Sequence, residues 1–246
     1  MKNLKLEIIK FIKDYVESAH AKGVVVGMSG GKDSFVVAAL ASKAIGSENV
    51  FGIIMPNGTQ KDIDDAIFEC EFLKIKYSIL NIENLYNETI LLTKTALQTD
   101  ELSKVTTLNI APRLRINLLY STAATLGYLV ANTSNLSEKM IGYSTKWGDS
   151  VGDFSPLLSL TKTEVQELGI ELGLPEKLVY KNPADGLTGK TDEDVLGFSY
   201  SELDNFIRNG KKDKNFEKIL KMHNSSRHKR NPIKTFESGR KNYFDE

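Results

Sequence analysis

The stretch VVVGMSGGKDSFVVAAL, residues 24–40, places an apolar run, a Gly-Lys step and a second apolar run end to end. A Walker A loop needs a glycine, four residues, Gly-Lys and then a hydroxyl residue, because the lysine reaches the outer phosphates and the hydroxyl ligates magnesium. Here Val26 stands where the first glycine belongs, and Asp33 follows Lys32 where the hydroxyl belongs. What remains is a strand reaching Gly27, a Ser-Gly-Gly turn and a helix starting near Asp33 and Ser34. Glycines let an anion approach the backbone closely, and the free amides of a helix start donate to it. The stretch reads either as a phosphate cradle or as a Gly-rich turn that merely joins strand to helix. Asp33 is correspondingly an N-cap, or a holder of the magnesium that accompanies a pyrophosphate.

Outward from this stretch, residues 23–28, 49–55, 76–81 and 128–132 are short, apolar and β-branched enough to be strands buried on both faces. Helical patterns lie between them at 35–44 and 62–74, and in a long stretch from about 84 to 124 with a break near TTLNIAP. Pro112 is placed to start a helix there. Strands alternating with helices predict an α/β fold, a doubly wound parallel sheet flanked by helices. Ligands gather beyond the carboxyl ends of such strands, which selects the loops 29–34, 56–61 and 133–138. Before the first strand, Leu4, Ile8, Phe11, Ile12, Tyr15 and Val16 form one apolar helical stripe. Beyond Pro156 the pattern is mostly helical. Thr161 is a candidate N-cap with Glu164 three residues on and Gly173 past the helix end, and SYSELDNFIRNG, residues 199–210, is a second capped helix. NPADGLTGKTDEDVLG, residues 182–197, reads as a surface loop.

The bulk composition narrows the function classes. With 246 residues and 41% hydrophobic content, the chain is long and apolar enough for a proper core. Its 32 basic residues cancel its 32 acidic ones, so no global field gathers nucleic acid or an anionic membrane. One cysteine, Cys70 in an apolar context, builds neither an internal disulfide nor a structural zinc site alone. The N-terminal 20 residues interrupt their apolar positions with charges, unlike a signal peptide or membrane span. The expectation is a cytoplasmic protein.

SGGKDS, residues 29–34, resembles the SGGxDS pyrophosphate loop of the PP-loop ATP pyrophosphatases, with an adenine nucleotide alpha hydrolase-like fold. MPNGTQKDIDDA, NIAPRLRINLLY, NTSNLSEKMIGYSTKWGDSVGDFSPL, KNPADGL, LGFSY and HKRNP follow in the order of the ammonia-dependent NAD synthetase family. The resemblance runs from about residue 4 to about residue 236 and implies one domain over 1–246, with a C-terminal helical part and no glutaminase domain. It implies a ligase forming a C–N bond: ATP adenylates deamido-NAD, pyrophosphate leaves, and ammonia displaces AMP to give NAD+. It also implies a homodimer built largely from the long helices, with no nucleic-acid or membrane partner.

By the same resemblance, Gly27, Met28, Ser29, Gly30, Gly31, Lys32, Asp33 and Ser34 hold ATP together with Thr133, Lys162 and Ala184. Lys32 occupies the variable position of the loop, where it reads as a solvated side chain. Asp33 and Glu138 are the implied Mg²⁺ ligands, and Arg113, Lys146, Asp153, His228 and Lys229 the implied deamido-NAD contacts. Asp33, Lys162 and Asp153 are the implied catalytic residues, Asp153 as a base toward ammonium. For Arg113 and Arg115, two apart on one helix, the competing reading is surface salt bridging, with more weight at Arg115. Two departures stand out: Asn132 where the family carries glycine, which would narrow the approach to the nucleotide, and Ala184 where it carries a hydroxyl. Competing readings are a PP-loop ligase acting on tRNA and an ATP-binding sensor without turnover.

Overall fold

The computed structural model describes residues 1–60, 62–181 and 191–236. Strands β1 (Val24–Met28), β2 (Val50–Ile54), β3 (Lys76–Ile79) and β4 (Leu129–Val130) form a parallel sheet in the order β3-β2-β1-β4. Val24 pairs with Val50 on one side and Leu129 on the other, so β1 is central. Its side chains alternate between two cores. Val24, Val26 and Met28 pack toward helices α1 (Lys2–Ser18), α2 (Lys32–Ile45) and α3 (Ile63–Leu73), while Val25 packs with Ile53, Leu119 and Val130 on the opposite face. Burial on both faces is the reason the strand is apolar at every position.

The chain travels outward from β1 to β3 along one face, then returns through α4 (Glu83–Leu97) and α5 (Lys104–Leu126) to place β4 against the free side of β1. The loops after β1 and β4 therefore diverge and open a crevice at the switch point. Beyond β4 come α6 (Leu136–Ile141), α7 (Lys162–Glu171), α8 (Glu176–Val179), α9 (Asp192–Leu196), α10 (Tyr200–Asn209), α11 (Phe216–Ser225) and α12 (Arg227–Arg230). Helix α7 joins the main core through Val165 and Leu168. Ile141, Leu196, Phe198, Leu203 and Ile219 form a separate small core beneath α6, α10 and α11. Among the described residues no helix is long and apolar enough to cross a membrane.

The capping box expected at Thr161/Glu164 is formed, the helix expected to be capped at 199–210 carries one at Ser199/Glu202, and Gly173 follows α7 with φ of +81°. Three boundaries differ from expectation. The break in the long helical stretch lies at 98–103, where Gln98 turns left-handed and the Ser103 hydroxyl caps α5 by accepting from Thr106 N–H. Pro112 consequently sits inside α5; the lost N–H removes one bond from a helix of 23 residues that the remaining turns sustain. Asp33 is not an N-cap, because α2 begins at Lys32 with Gly31 in the cap position. In the expected loop 182–197, residues 192–196 form α9 under a Thr191/Asp194 capping box, and 182–190 lie outside the described residues.

Cys70 is buried mid-helix, where burial pushes its thiol up to about 12. Beside it, Glu69 is fully buried with neither carboxyl oxygen hydrogen-bonded, and burial together with Asp65 raises its pKa to about 9. A carboxyl raised on folding favours the native state only in its protonated form. Stability should thus be greatest below the ordinary carboxyl range and decline as pH climbs from about 4.5 toward 9, by on the order of 3 kcal/mol at neutrality. Glu69→Gln should flatten this slope and raise the melting temperature between pH 7 and 9. Equal pH slopes for both proteins in thermal unfolding would refute the assignment.

Candidate active site

A cavity of about 420 Å³ opens at the carboxyl ends of β1 and β4. One wall is the β1–α2 turn: Gly27, Met28, Ser29, Gly31, Asp33 and Ser34 line it. Gly30 does not face the cavity but presses on the start of α3. Its φ is +73°, and a Cβ there would lie 2.3 Å from the Asp62 carbonyl, so only glycine fits both the turn and the contact. The Ser34 hydroxyl donates to the Gly31 carbonyl at 2.9 Å and accepts from Ser29 N–H at 3.3 Å, holding the turn from inside.

Helix α2 has no side-chain cap, and its first internal bond runs from Phe35 N–H to the Gly31 carbonyl. Among the described residues no acceptor meets the amides of Lys32, Asp33 or Ser34. The starts of α6 and α7 are largely occupied instead, whereas α3, which also lines the cavity through Ile63 and Ala66, has no side-chain cap either. In α6 the Asn135 side chain accepts from Glu138 N–H. In α7 Lys162 N–H donates to the Ser137 hydroxyl, Thr163 N–H to Asp204 and Glu164 N–H to the Thr161 hydroxyl. Of the starts of α2, α6 and α7, α2 is the one whose first three amides are all unmet, and they stand ready to donate to an anion.

The opposite wall comes from β4 and α6. Thr133 and Glu138 line the cavity, and buried Asn135 donates to Asp33 at 3.1 Å, tying the two loops together. Glu138 Oε1 accepts from Lys162 Nζ at 3.2 Å, while its Oε2 accepts from Asn135 N–H at 3.4 Å, completing the α6 capping box. Lys162 is 3% exposed, also pairs with Asp192 at 3.3 Å and lies 3.9 Å from the centre of the Tyr200 ring. Burial alone would lower its pKa, but Glu138, Asp33 and Asp192 outweigh it and hold the ammonium above its ordinary range. Burial and then Asp33 push Glu138 upward. Two carboxylates, Asp33 and Glu138, lining one cavity are a hard-oxygen donor pair that a divalent cation fits.

Several sequence-based expectations are relocated. Lys32 is not solvated: it is 4% exposed, packed behind the turn, with burial pulling its ammonium down. Asn132 is buried, its amide donating to the carbonyls of Asp149 at 2.8 Å and Val151 at 3.1 Å, so it fastens the 149–151 loop to β4. Arg115, read as a surface salt bridge, lines the cavity and donates to the Met55 carbonyl at 2.9 Å. Arg113 is exposed and donates to the Lys146 carbonyl. Lys229 likewise donates to the carbonyls of Gly142 and Ser144, so Arg113, Lys146 and Lys229 gather around the 142–149 loop, with exposed His228 beside them on α12. Asp153 does not line the cavity; its carboxylate accepts from Val130 N–H at 2.7 Å and the Tyr120 hydroxyl at 3.3 Å. Ala184 lies outside the described residues. Asp192, Tyr200 and Asn135 carried no signal for this site in their local sequence.

A family model described as NAD synthase matches residues 5–242. The chain is 44% identical over 203 residues to an NH(3)-dependent NAD(+) synthetase of Thermococcus sibiricus, covering 82% of this chain and 78% of that protein. It is 42% identical over 241 residues to the NH(3)-dependent NAD(+) synthetase of Finegoldia magna, covering 96% and 97%. Among solved structures, an NMN synthetase from Francisella tularensis superposes with a TM-score of 0.87 at 34% identity, covering 95% of this chain and 97% of that one.

The close approach of Gly30 to α3 sets a measurable contrast. Gly30→Ala should cost clearly more stability than Gly173→Ala, which has the same positive φ but nothing within 4 Å of its Cβ. The open site should lose only about 1 kcal/mol from backbone strain. Equal losses in denaturant unfolding would show that the α3 contact places no demand on residue 30.

Proposed function

The chain belongs to the NAD synthase family, and on that premise we propose that this cavity carries out the ATP-dependent amidation of deamido-NAD by ammonia, yielding NAD+, AMP and pyrophosphate. The carrying observation is the uncapped start of α2, with Asp33 in its first turn, opposite Glu138 across the β1–β4 crevice, where Glu138 pairs with Lys162. The nicotinate carboxylate attacks the α-phosphate of ATP, the bond to the β-phosphate oxygen breaks, and ammonia then displaces AMP from the acyl-adenylate. The amides of residues 32–34 and the hydroxyls of Ser29 and Ser34 receive the phosphates, supported by the positive end of α2. Lys162, kept charged by its carboxylates, stabilises the charge that develops on the departing group. Thr133 contacts the nucleotide from the β4 side.

Asp33 and Glu138 would hold Mg²⁺, which neutralises phosphate charge and polarises the phosphoryl oxygens. Arg113, Lys146, His228 and Lys229 form a cationic rim suited to the pyrophosphate of a dinucleotide. Two of them also shape the 142–149 loop through its carbonyls. Asp153 holds β4 in place through its carboxylate, which accepts from Val130 N–H and the Tyr120 hydroxyl.

A second reading follows from the Francisella tularensis NMN synthetase, whose TM-score is 0.87. The acid amidated would then be nicotinate mononucleotide. For assembly, α4 exposes Leu85, Leu91, Leu92 and Leu97, and α5 exposes Val105 and Leu108. We assign this apolar surface to a homodimer interface.

Incubation with ATP, Mg²⁺ and ammonium should convert deamido-NAD to NAD+ with one AMP per turnover. A higher kcat/KM for nicotinate mononucleotide would replace the first reading with the second, and AMP formation only on addition of tRNA would sink both. Asp33→Asn and Glu138→Gln should each lower turnover by about a hundredfold or more. Near-normal activity at limiting Mg²⁺ would remove that residue from the metal site. The double variant Leu91→Glu, Leu92→Glu should sediment as a monomer; an unchanged dimer would move the interface elsewhere.

A further inference from the structure

Behind the β1–α2 turn lies a second, polar cavity of about 170 Å³, walled by Lys32, Lys162, Thr163, Lys181, Thr191 and Tyr200. It shares a partition with the main cavity. Gly31 and Asp33 line the main cavity, while Lys32, between them in the chain, lines the second. Two of its three lysines are neutralised. Lys162 pairs with Glu138 at 3.2 Å and Asp192 at 3.3 Å, and Lys181 pairs with Asp62 and with Asp65. Lys32 is different. It is 4% exposed, yet among the described residues its ammonium meets neither a hydrogen-bond acceptor nor a carboxylate within ion-pair distance. Its neighbour Asp33 turns the other way, held by Asn135 at 3.1 Å.

The Lys32 ammonium is attracted by Asp33, Glu138 and Asp192 but hydrogen-bonds to none of them, so burial outweighs this attraction and an anion entering the cavity is what would compensate it. The free amides of α2 begin at this same residue. We propose that the Lys32 side chain and this second cavity receive the outer phosphate of the pyrophosphate that leaves during adenylation, making Lys32 a further catalytic residue. When the carboxylate oxygen bonds to the α-phosphorus, the bond to the β-phosphate oxygen breaks and its electron pair stays on that oxygen. Negative charge on the departing pyrophosphate therefore rises, and Lys32 donates to it without transferring a proton. The loop then grips the product at both ends, with amides on one phosphate and the Lys32 and Lys162 ammoniums on the other. This role rests on the adenylation chemistry proposed above.

Calorimetric titration of the full chain with inorganic pyrophosphate, without ATP, tests it directly. Lys32→Met should bind pyrophosphate about tenfold or more weakly than the unaltered protein, whereas Lys32→Arg should stay within about threefold. Without ligand, Lys32→Met should melt at or above the temperature of the unaltered protein, because an unpaired buried charge is gone; this verifies that the variant is folded. In turnover, Lys32→Met should lower kcat and raise the inhibition constant of pyrophosphate by similar factors, with the KM of the acid substrate unchanged. Undiminished pyrophosphate binding and unchanged kcat in folded Lys32→Met would overturn the proposal. Failure of the amidation reading would show separately, as absence of amide product from every acid offered.

Discussion

The start of α2 is left without a side-chain acceptor at the mouth of the cavity, beside helices α6, α7 and α10 that are capped. Asn135 serves α6, Thr161, Ser137 and Asp204 serve α7, and Ser199 serves α10, yet Gly31 offers α2 no side-chain acceptor. Unmet amides are costly where water is excluded and useful where an anion is to be bound. The rest of the site is arranged around them. Gly30 leans on α3 so that the turn is tight, Ser34 braces it internally, and β4 returns to the far side of β1 to bring Asn135, Thr133 and Glu138 opposite.

Charge inside this region is organised in layers. Asp204 accepts from the Ser137 hydroxyl, Thr163 N–H and the Thr163 hydroxyl, locking α10, α6 and α7 together. That lock sets where Lys162 leaves α7, and Lys162 in turn holds Glu138 and Asp192. A polar network of this kind confers position more than stability, since each buried charge is tolerable only while its partners stay in place.

The sheet was legible in the sequence because each strand is a contiguous signal: Val24, Val25 and Val26 face two different cores, so all three must be apolar. The capping box at Thr161 and the capped helix over 199–210 were legible for the same reason, each cap being complete within four residues. The loop 29–34 was found by its glycines, whose conformational demands are local. Features set by distant packing were not legible. Whether Lys32 is solvated depends on α7 and on Tyr200 far along the chain, and whether Arg113 or Arg115 faces the cavity depends on the rotation of α5 against β2, which Pro112 did not reveal. Asn132 lines the cavity, and that its amide also fastens the 149–151 loop could not be read from its neighbours in sequence.

Those last bonds belong to a wider pattern. Asp153 N–H donates to the Val130 carbonyl, Asn132 N–H donates to the Phe154 carbonyl, and Ala131 bridges to Phe154 in parallel. The segment between 131 and 153 therefore leaves the sheet and returns to it at a single point, like a bag closed by a drawstring. Its contents carry Thr133, Glu138 and Lys146, while its neck is carried by the backbone and by the Asp153 carboxylate. The cavity wall that carries Thr133 and Glu138 is thus hung from the sheet by its two ends, which meet at Val130 and Ala131.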